Sequence, residues 1–390
     1  MNVEEFLEHK PLYYSEIDYT RMPRVYAKIA HAFGDPCVIH IIGTNGKGTT
    51  GRFLATALSN MGYDVGHYTS PHIVDFKERI WRNKESISTQ ELEEIHQKLF
   101  SLLEQKDRDS LSYFEYTTLL AMLYYKSCDF VVLEAGLGGE HDATAVFSNE
   151  LTLVTPIAFD HEAFLGTSIE EIAATKLRAV QHNAILSKQL HREVYSVAQE
   201  IAQSKGFDLF CVEDLLQEED LQKIQVVAKT QELTPYMQDN LSLAIAALHL
   251  LEKNYSVENF KDAKLFGRFT QIKERIFIDV GHNPLAAYSL RKTLKEQSVV
   301  LIYNSYSDKD YTQVLEILKP VVKKVEIIAI EDQRIVQKEK LQKVLQELGI
   351  NYKDFNTANF IQNYEQSKEI YLVFGSFSVV EAFLKRTQDA

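Results

Sequence analysis

Residues 38–50 read Val38-Ile39-His40-Ile41-Ile42-Gly43-Thr44-Asn45-Gly46-Lys47-Gly48-Thr49-Thr50. A short β-branched run enters a glycine-rich turn. Phe53, Leu54, Ala57, Leu58 and Met61 then recur at helical spacing, with Gly62 as the C-cap. Glycines let successive backbone N–H groups converge on one oxyanion, and the helix N-terminus adds about half a positive charge. Such a loop wraps the phosphates of a nucleotide with Thr44, Asn45, Gly46, Lys47, Gly48 and Thr49. Lys47 would neutralise the outer phosphates, and the Thr49 hydroxyl would face a magnesium ion. The strict pattern G-x-x-x-x-G-K-[ST] is broken twice, by Ile41 at the first glycine and by Gly48 between Lys47 and Thr49. The bland alternative is a strand–helix turn with no ligand. The order strand, glycines, lysine, hydroxyl, helix favours phosphate.

Working outward, strands are expected at 64–69, 130–133 and 151–157, and helices at 116–126, 169–184, around 191–204 and 237–251. Strands alternating with helices imply βαβ units and a mostly parallel sheet, with ligands beyond the carboxyl ends of the strands. Residues 266–270 read as a connector carrying Gly267. A second αβ rhythm starts at Arg275: strands at 276–280, 299–303, 325–330 and 369–374, helices at 286–295, 311–318 and 339–348. Two domains are therefore expected, 1–270 and 271–390, which suits a chain of 390 residues.

Composition narrows the function. Hydrophobic residues make up 45% and charged residues 25%, as in an ordinary globular protein. A net charge of −13 is a poor footprint for nucleic acid or an anionic membrane, so neither is expected as a partner. Anionic small molecules remain open, because one pocket can be positive on an acidic protein. Three scattered cysteines, Cys37, Cys128 and Cys211, fit a reducing compartment and give no C-x-x-C pair. No basic-then-apolar leader opens the chain, and no apolar run reaches the ~18 residues of a membrane helix. A cytoplasmic location is expected.

Further polar groups sit where strands should end. Thr69-Ser70-Pro71-His72 closes the second strand, with Glu78-Arg79-Ile80 after it. Phe114-Glu115-Tyr116-Thr117-Thr118 opens a helix, and an N-cap would explain that segment as well. The strand 130–133 delivers Glu134 into Ala135-Gly136-Leu137-Gly138-Gly139, followed by Asp142-Ala143-Thr144. A carboxylate buried beside an apolar strand is costly unless paired or metal-bound, which makes Glu134 a magnesium-ligand candidate. Asp160-His161 follows another strand, and an acid there can orient an imidazole for a metal. Lys176 lies on the next helix. Gln238-Asp239-Asn240, Phe266-Gly267-Arg268 and Asp279-Val280-Gly281-His282-Asn283-Pro284 complete the set.

In this order, the motifs resemble the Mur ligase superfamily, and within it the folylpolyglutamate synthase and dihydrofolate synthase family. Residues 38–310 carry the resemblance. It implies a P-loop N-terminal domain with a parallel-rich sheet, a smaller Rossmann-like C-terminal domain, and an active site in the cleft between them. It implies ATP-driven amide formation: L-glutamate joined to dihydropteroate or a folate through an acyl phosphate. ATP and two magnesium ions are the implied cofactors, held at Thr49, Ser70, Glu134 and His161. Asn240, Arg268 and Asp279 would serve the nucleotide, and Thr118, Asp142 and Ala143 the pterin. Lys47, Lys176, His282 and Arg268 would be catalytic, with Lys176 carbamylated. A carbamate needs an uncharged amine, and Arg178 is the positive neighbour expected to help lower the pKa.

The chain departs from the family pattern at several places. Glu140 stands for Arg, Ala145 for Asn, Thr175 for Glu, Leu177-Arg178-Ala179 for A-G-I, Phe266 for Pro and Gly281 for Ala. Three other readings stay open: a Mur-type ligase for another amino acid, a P-loop NTPase or kinase without ligation, and a catalytically inactive binding paralogue, to which the changes at 140, 175, 177 and 266 would point. A monomer acting on small molecules is expected.

Overall fold

The computed structural model describes residues 2–11, 18–295 and 297–387. Two compact units emerge. One takes the residues up to Leu233 together with Met237–Ala263, and the other takes Thr234–Tyr236 and the residues from Lys264 onward.

The first unit holds eight strands: β1 Cys37–Ile42, β2 Val65–Tyr68, β3 Ile80–Arg82, β4 Glu85–Ser86, β5 Phe130–Glu134, β6 Leu151–Val154, β7 Asn183–Leu186 and β8 Asp208–Cys211. Their order is β4-β3-β2-β5-β1-β6-β7-β8. The six strands from β2 to β8 pair in parallel, and β3 and β4 add an antiparallel edge. β1 and β5 are almost wholly apolar and buried, as a strand covered on both faces must be. One face is covered by helix Tyr113–Tyr124 and its neighbours and, further along, by Ile169–Leu177 and Glu193–Lys205, while helix Lys47–Asn60 lies against Ile41 and His67 on the opposite face.

The second unit holds β9 Thr270–Lys273, β10 Ile276–Asp279, β11 Val299–Tyr303, β12 Val322–Ile327, β13 Tyr352–Asp354 and β14 Ile370–Phe374. The order is β13-β12-β11-β14-β10-β9, parallel except for β9. This is the α/β class expected, with a parallel-rich sheet in the first unit and a smaller, mostly parallel sheet in the second.

Several details differ from the sequence reading. The helix expected over 169–184 stops at Leu177, and 183–186 is β7. Ala184, Ile185 and Leu186 are fully buried between β6 and β8, and a short apolar run of that kind reads as helix or strand alike. β4, β8, β9 and β13 are the edge strands of the two sheets, and neither they nor β3 fall in an expected strand. Helices Arg21–Ile29 and Thr89–Leu102 were likewise unassigned. No helix among the described residues is long and apolar enough to cross a membrane.

The N-terminal segment is fastened to the sheet domain by charge. Arg21 Nε lies 2.9 Å from Glu115 Oε2, and both side chains are about nine-tenths buried. Glu115 also caps helix Tyr113–Tyr124 by accepting from the Ser112 N–H at 2.7 Å. Arg21→Ala should therefore cost about 3 kcal/mol, because a buried carboxylate loses its counter-charge. Urea unfolding followed by near-UV circular dichroism measures this, and a loss under about 1 kcal/mol would make the pair no better than a surface one.

Candidate active site

In the first sheet β2, β5, β1 and β6 are consecutive neighbours. The register aligns their carboxyl ends: Tyr68 opposite Leu133, Ile41 opposite Glu134, Ile42 opposite Val154. The segments that follow must therefore meet, and each carries a polar motif.

The loop after β1 leans on the loop after β6. Thr44 N–H donates to Pro156 O at 2.9 Å, and the Thr44 hydroxyl lies within bonding distance of both Ala158 O and Ala158 N. Gly43 has φ +136°, and a Cβ there would lie 2.0 Å from Thr155 Oγ1. Gly46 has φ +93°, and a Cβ would lie 2.4 Å from Asn240 Oδ1. Both positions demand glycine for conformation and for space. Asn240 is thereby placed directly against the phosphate loop. The loop then runs into helix Lys47–Asn60, whose first N–H groups have no intrahelical partner.

Charge collects at this point. Lys47 Nζ is 4.0 Å from Glu134 Oε1 and 3.2 Å from Gly43 O. Glu134, 4% exposed, ends β5 and accepts from the Thr69 hydroxyl and, at 3.3 Å, from the Ser70 N–H. Thr69 thus joins the site although the sequence reading gave it no role. The Thr49 hydroxyl is buried and has no hydrogen-bond partner, as a group awaiting a ligand would be. No group of three or more His, Cys, Asp or Glu side chains converges to hold a metal among the described residues. A hydroxyl and one carboxylate fit magnesium, which keeps several waters and takes phosphate oxygens as its other ligands. The residues present therefore fit a nucleotide-borne magnesium ion.

Lys176 is buried, and its ammonium donates to Gly43 O at 3.1 Å. Burial, and secondarily the Lys47 charge, push its pKa down to about 7, against the attraction of Asp160 and Asp142. The positive neighbour is thus Lys47 and not Arg178. Arg178 is half exposed and faces Glu140, with Nη1 3.4 Å from Oε2. The two departures from the family pattern, at 140 and 178, pair with one another.

Asp142 is buried within its own loop. It accepts from Leu137 N–H at 2.8 Å, Thr144 N–H at 3.0 Å and the Thr144 hydroxyl. Burial raises its pKa while these bonds oppose the rise. The Thr144 hydroxyl also meets His40 Nε2 at 2.8 Å, which ties the loop to β1. Ala143 is buried at the start of the turn Ala143–Val146. The Thr118 hydroxyl donates to Phe114 O at 2.8 Å inside its helix, one turn from the capping Glu115. The N-cap explanation of the 114–118 motif and a substrate role are compatible. His161 has φ +53° and a 41% exposed side chain, with Nε2 3.8 Å from Asp160 Oδ1.

In the second unit Asp279 ends β10 and accepts three hydrogen bonds, from Tyr236 Oη at 2.9 Å, Phe269 N–H at 3.0 Å and Gly281 N–H at 2.8 Å. Burial raises its pKa, and the nearby Arg268 charge opposes this. Arg268 lies over the Phe377 ring at 5.2 Å. His282 follows in the same loop, its Nδ1 3.3 Å from Val280 O. At Gly281 a Cβ would fall 2.6 Å from Ala286 Cβ, so the family's usual alanine has no room here.

A phosphate loop of this form, on this sheet, with an acid at the end of the adjacent strand, fits an ATP-dependent ligase of the Mur type. No family model matches the chain. The dihydrofolate synthase/folylpolyglutamate synthase of Escherichia coli (strain K12) is 32% identical, over 94% of this chain and 90% of its own. A crystal structure of Helicobacter pylori folylpolyglutamate synthetase is 38% identical, with a TM-score of 0.79, covering all of this chain and 98% of the other. E. coli FolC in complex with DHPP and ADP is 29% identical, TM-score 0.81, with 99% and 96% covered. A bifunctional folylpolyglutamate synthase/dihydrofolate synthase with Mn, AMPPNP and L-glutamate bound is 26% identical, TM-score 0.82, with 99% and 97% covered. The chain belongs to the dihydrofolate synthase/folylpolyglutamate synthase family.

The Lys176 ammonium gives the site a pH signature. A free lysine titrates near 10.5, and this one near 7. Between those values the folded chain binds fewer protons than the unfolded one, so this group makes stability rise with pH across the interval. Lys176→Met should flatten that slope in unfolding measured from pH 6.5 to 10. Reductive ¹³C-methylation and NMR titration should find one lysine with a midpoint near 7, moving upward in Lys47→Met. A Lys176 midpoint above about 9.5 would refute the assignment.

Proposed function

We infer that the chain is an ATP-dependent ligase that adds L-glutamate to dihydropteroate, to folates, or to both. The observation that carries this is the convergence of Lys47, the unpartnered Thr49 hydroxyl, Glu134 and Lys176 at the aligned ends of four strands, in a chain of this family. The ligands named with its relatives agree: DHPP and ADP in one, Mn, AMPPNP and L-glutamate in another.

The substrate carboxylate attacks the γ-phosphate of ATP to give an acyl phosphate and ADP. The α-amine of glutamate then attacks the acyl carbon, and phosphate leaves. The first step brings anions together, so positioning and charge neutralisation dominate it. Thr44, Asn45, Gly46 and Gly48 line the phosphates, and Lys47 faces the outer ones. Asn240, fixed against Gly46, borders the nucleotide. Thr49, Ser70 and Glu134 would hold magnesium, with His161 for a second ion. Magnesium would supply charge stabilisation on the transferred phosphoryl group.

Lys176, largely able to lose its proton near neutrality, is suited to carbamylation, which would turn a cation beside Lys47 into an anion near the metal. Thr118, Asp142 and Ala143 border the proposed pterin site. Arg268, Asp279 and His282 are assigned to the same reaction by motif order, with Arg268 as the positive charge that meets the transferred phosphoryl group. Residues 1–270 would thus carry the nucleotide and pterin sites and 271–390 the remainder. The enzyme would act as a cytoplasmic monomer.

ADP release assayed separately with dihydropteroate and with tetrahydrofolate tests the reading. Release should require glutamate and one of the two acceptors. Release indifferent to glutamate would favour a plain NTPase. Lys47→Ala should lose at least about a hundredfold in turnover while keeping its circular dichroism. Lys176→Ala should lose activity and regain part of it with acetate, and native mass spectrometry should show a carbon dioxide adduct on the parent protein only.

A further inference from the structure

Asp279 sits at the centre of a clamp. Its Oδ2 accepts both the Tyr236 hydroxyl at 2.9 Å and the Phe269 N–H at 3.0 Å, and its Oδ1 accepts the Gly281 N–H at 2.8 Å. Phe269 has φ +39° and follows Gly267 at φ +79°, so a bulky aromatic residue occupies the left-handed region. That conformation costs on the order of 1–3 kcal/mol and persists only where the surroundings hold it. Here the holding bonds are visible. Phe269 N–H is anchored on Asp279, Val280 N–H donates to Gly267 O at 3.0 Å, the Thr270 hydroxyl accepts from Gly267 N–H at 3.1 Å, and the Phe269 ring stacks on Phe277 at 4.9 Å. The residue between the two left-handed positions is Arg268.

We propose that Tyr236 and Asp279 are positioning residues for Arg268: the Tyr236 hydroxyl fixes the Asp279 carboxylate, which holds the strained Gly267–Phe269 turn and so aims the guanidinium. This rests on the role given above to Arg268 in phosphoryl transfer. Asp279 is thereby assigned to the protein's own backbone first, since both its oxygens are already engaged. Tyr236 is bound to this task by geometry alone. It lies 43 residues before Asp279 in the chain, at the first turn of helix Pro235–Leu250. Burial and the adjacent Asp279 charge hold its hydroxyl protonated, so that it donates throughout the working pH range.

A double-mutant cycle in the full-length enzyme tests this. Tyr236→Phe keeps the ring and removes only the hydroxyl. It should lower kcat about tenfold with KM for ATP little changed, as expected for a misaimed group that acts in the transition state. Arg268→Ala should lower kcat further. The double variant Tyr236→Phe/Arg268→Ala should be no slower than Arg268→Ala, because the hydroxyl has nothing left to aim. Independent, multiplicative losses would overturn the proposal, as would an unchanged kcat in Tyr236→Phe. If Arg268→Ala alone keeps full turnover, the phosphoryl role of Arg268 fails, and the proposal with it. Asp279→Asn gives a second reading, since an amide nitrogen cannot accept and so either the Tyr236 and Phe269 bonds or the Gly281 bond must be lost. It should mimic Tyr236→Phe in kcat and in its lack of additivity with Arg268→Ala.

Discussion

The parallel pairing of β1 with β5 on one side and β6 on the other holds the site together. Because Ile41 sits opposite Glu134 and Ile42 opposite Val154, the phosphate loop, the acid and the 155–161 segment leave the sheet at one level. A register slip of one residue would turn Glu134 to the other face and leave Lys47 without its partner. The fully buried, apolar strands make such a slip expensive. Glycine at 43 and 46 then lets the loop close on Thr155 and Asn240, where a methyl group would collide.

Electrostatics follow from that geometry. Two lysines share the Gly43 carbonyl, at 3.2 Å from Lys47 and 3.1 Å from Lys176. Burial first, and the Lys47 charge second, make Lys176 yield its proton more easily. Lys47 lies beside Glu134, while the lowered pKa of Lys176 favours its neutral amine. The overall −13 charge is no obstacle, because the positive groups concentrate at one loop and the acids there are themselves paired or hydrogen-bonded.

Legibility in the sequence tracks the range of the interaction. The strand–loop–helix around Lys47 was readable because β-branched run, glycines and helical period lie within 25 residues. Glu134 was readable because a single acid at the end of an apolar strand conflicts with burial unless it has a purpose. β7 was not, because Ala184-Ile185-Leu186 continues the apolar spacing of the preceding helix and nothing local marks the change. The Arg178–Glu140 pair was misjudged for a related reason: nearness in sequence to Lys176 suggested contact, whereas a helix turns successive side chains to different faces. Tyr236 and Thr69 owe their roles to partners 43 and 65 residues away, and no periodicity announces such contacts.

The departures from the family pattern acquire local causes in the same way. Arginine lost at 140 and gained at 178 leaves an ion pair rather than an unpaired charge. Gly281 answers to Ala286 and Phe374, which leave no volume for a methyl group. Lys47, Thr49, Glu134 and Lys176 keep the family's residue types instead: each is buried or nearly so, and each is polar where the apolar sheet would favour the opposite. A fold that retains four costly polar groups at one point, and adjusts its periphery in matched pairs, is constrained by chemistry at the centre and only by packing at the rim.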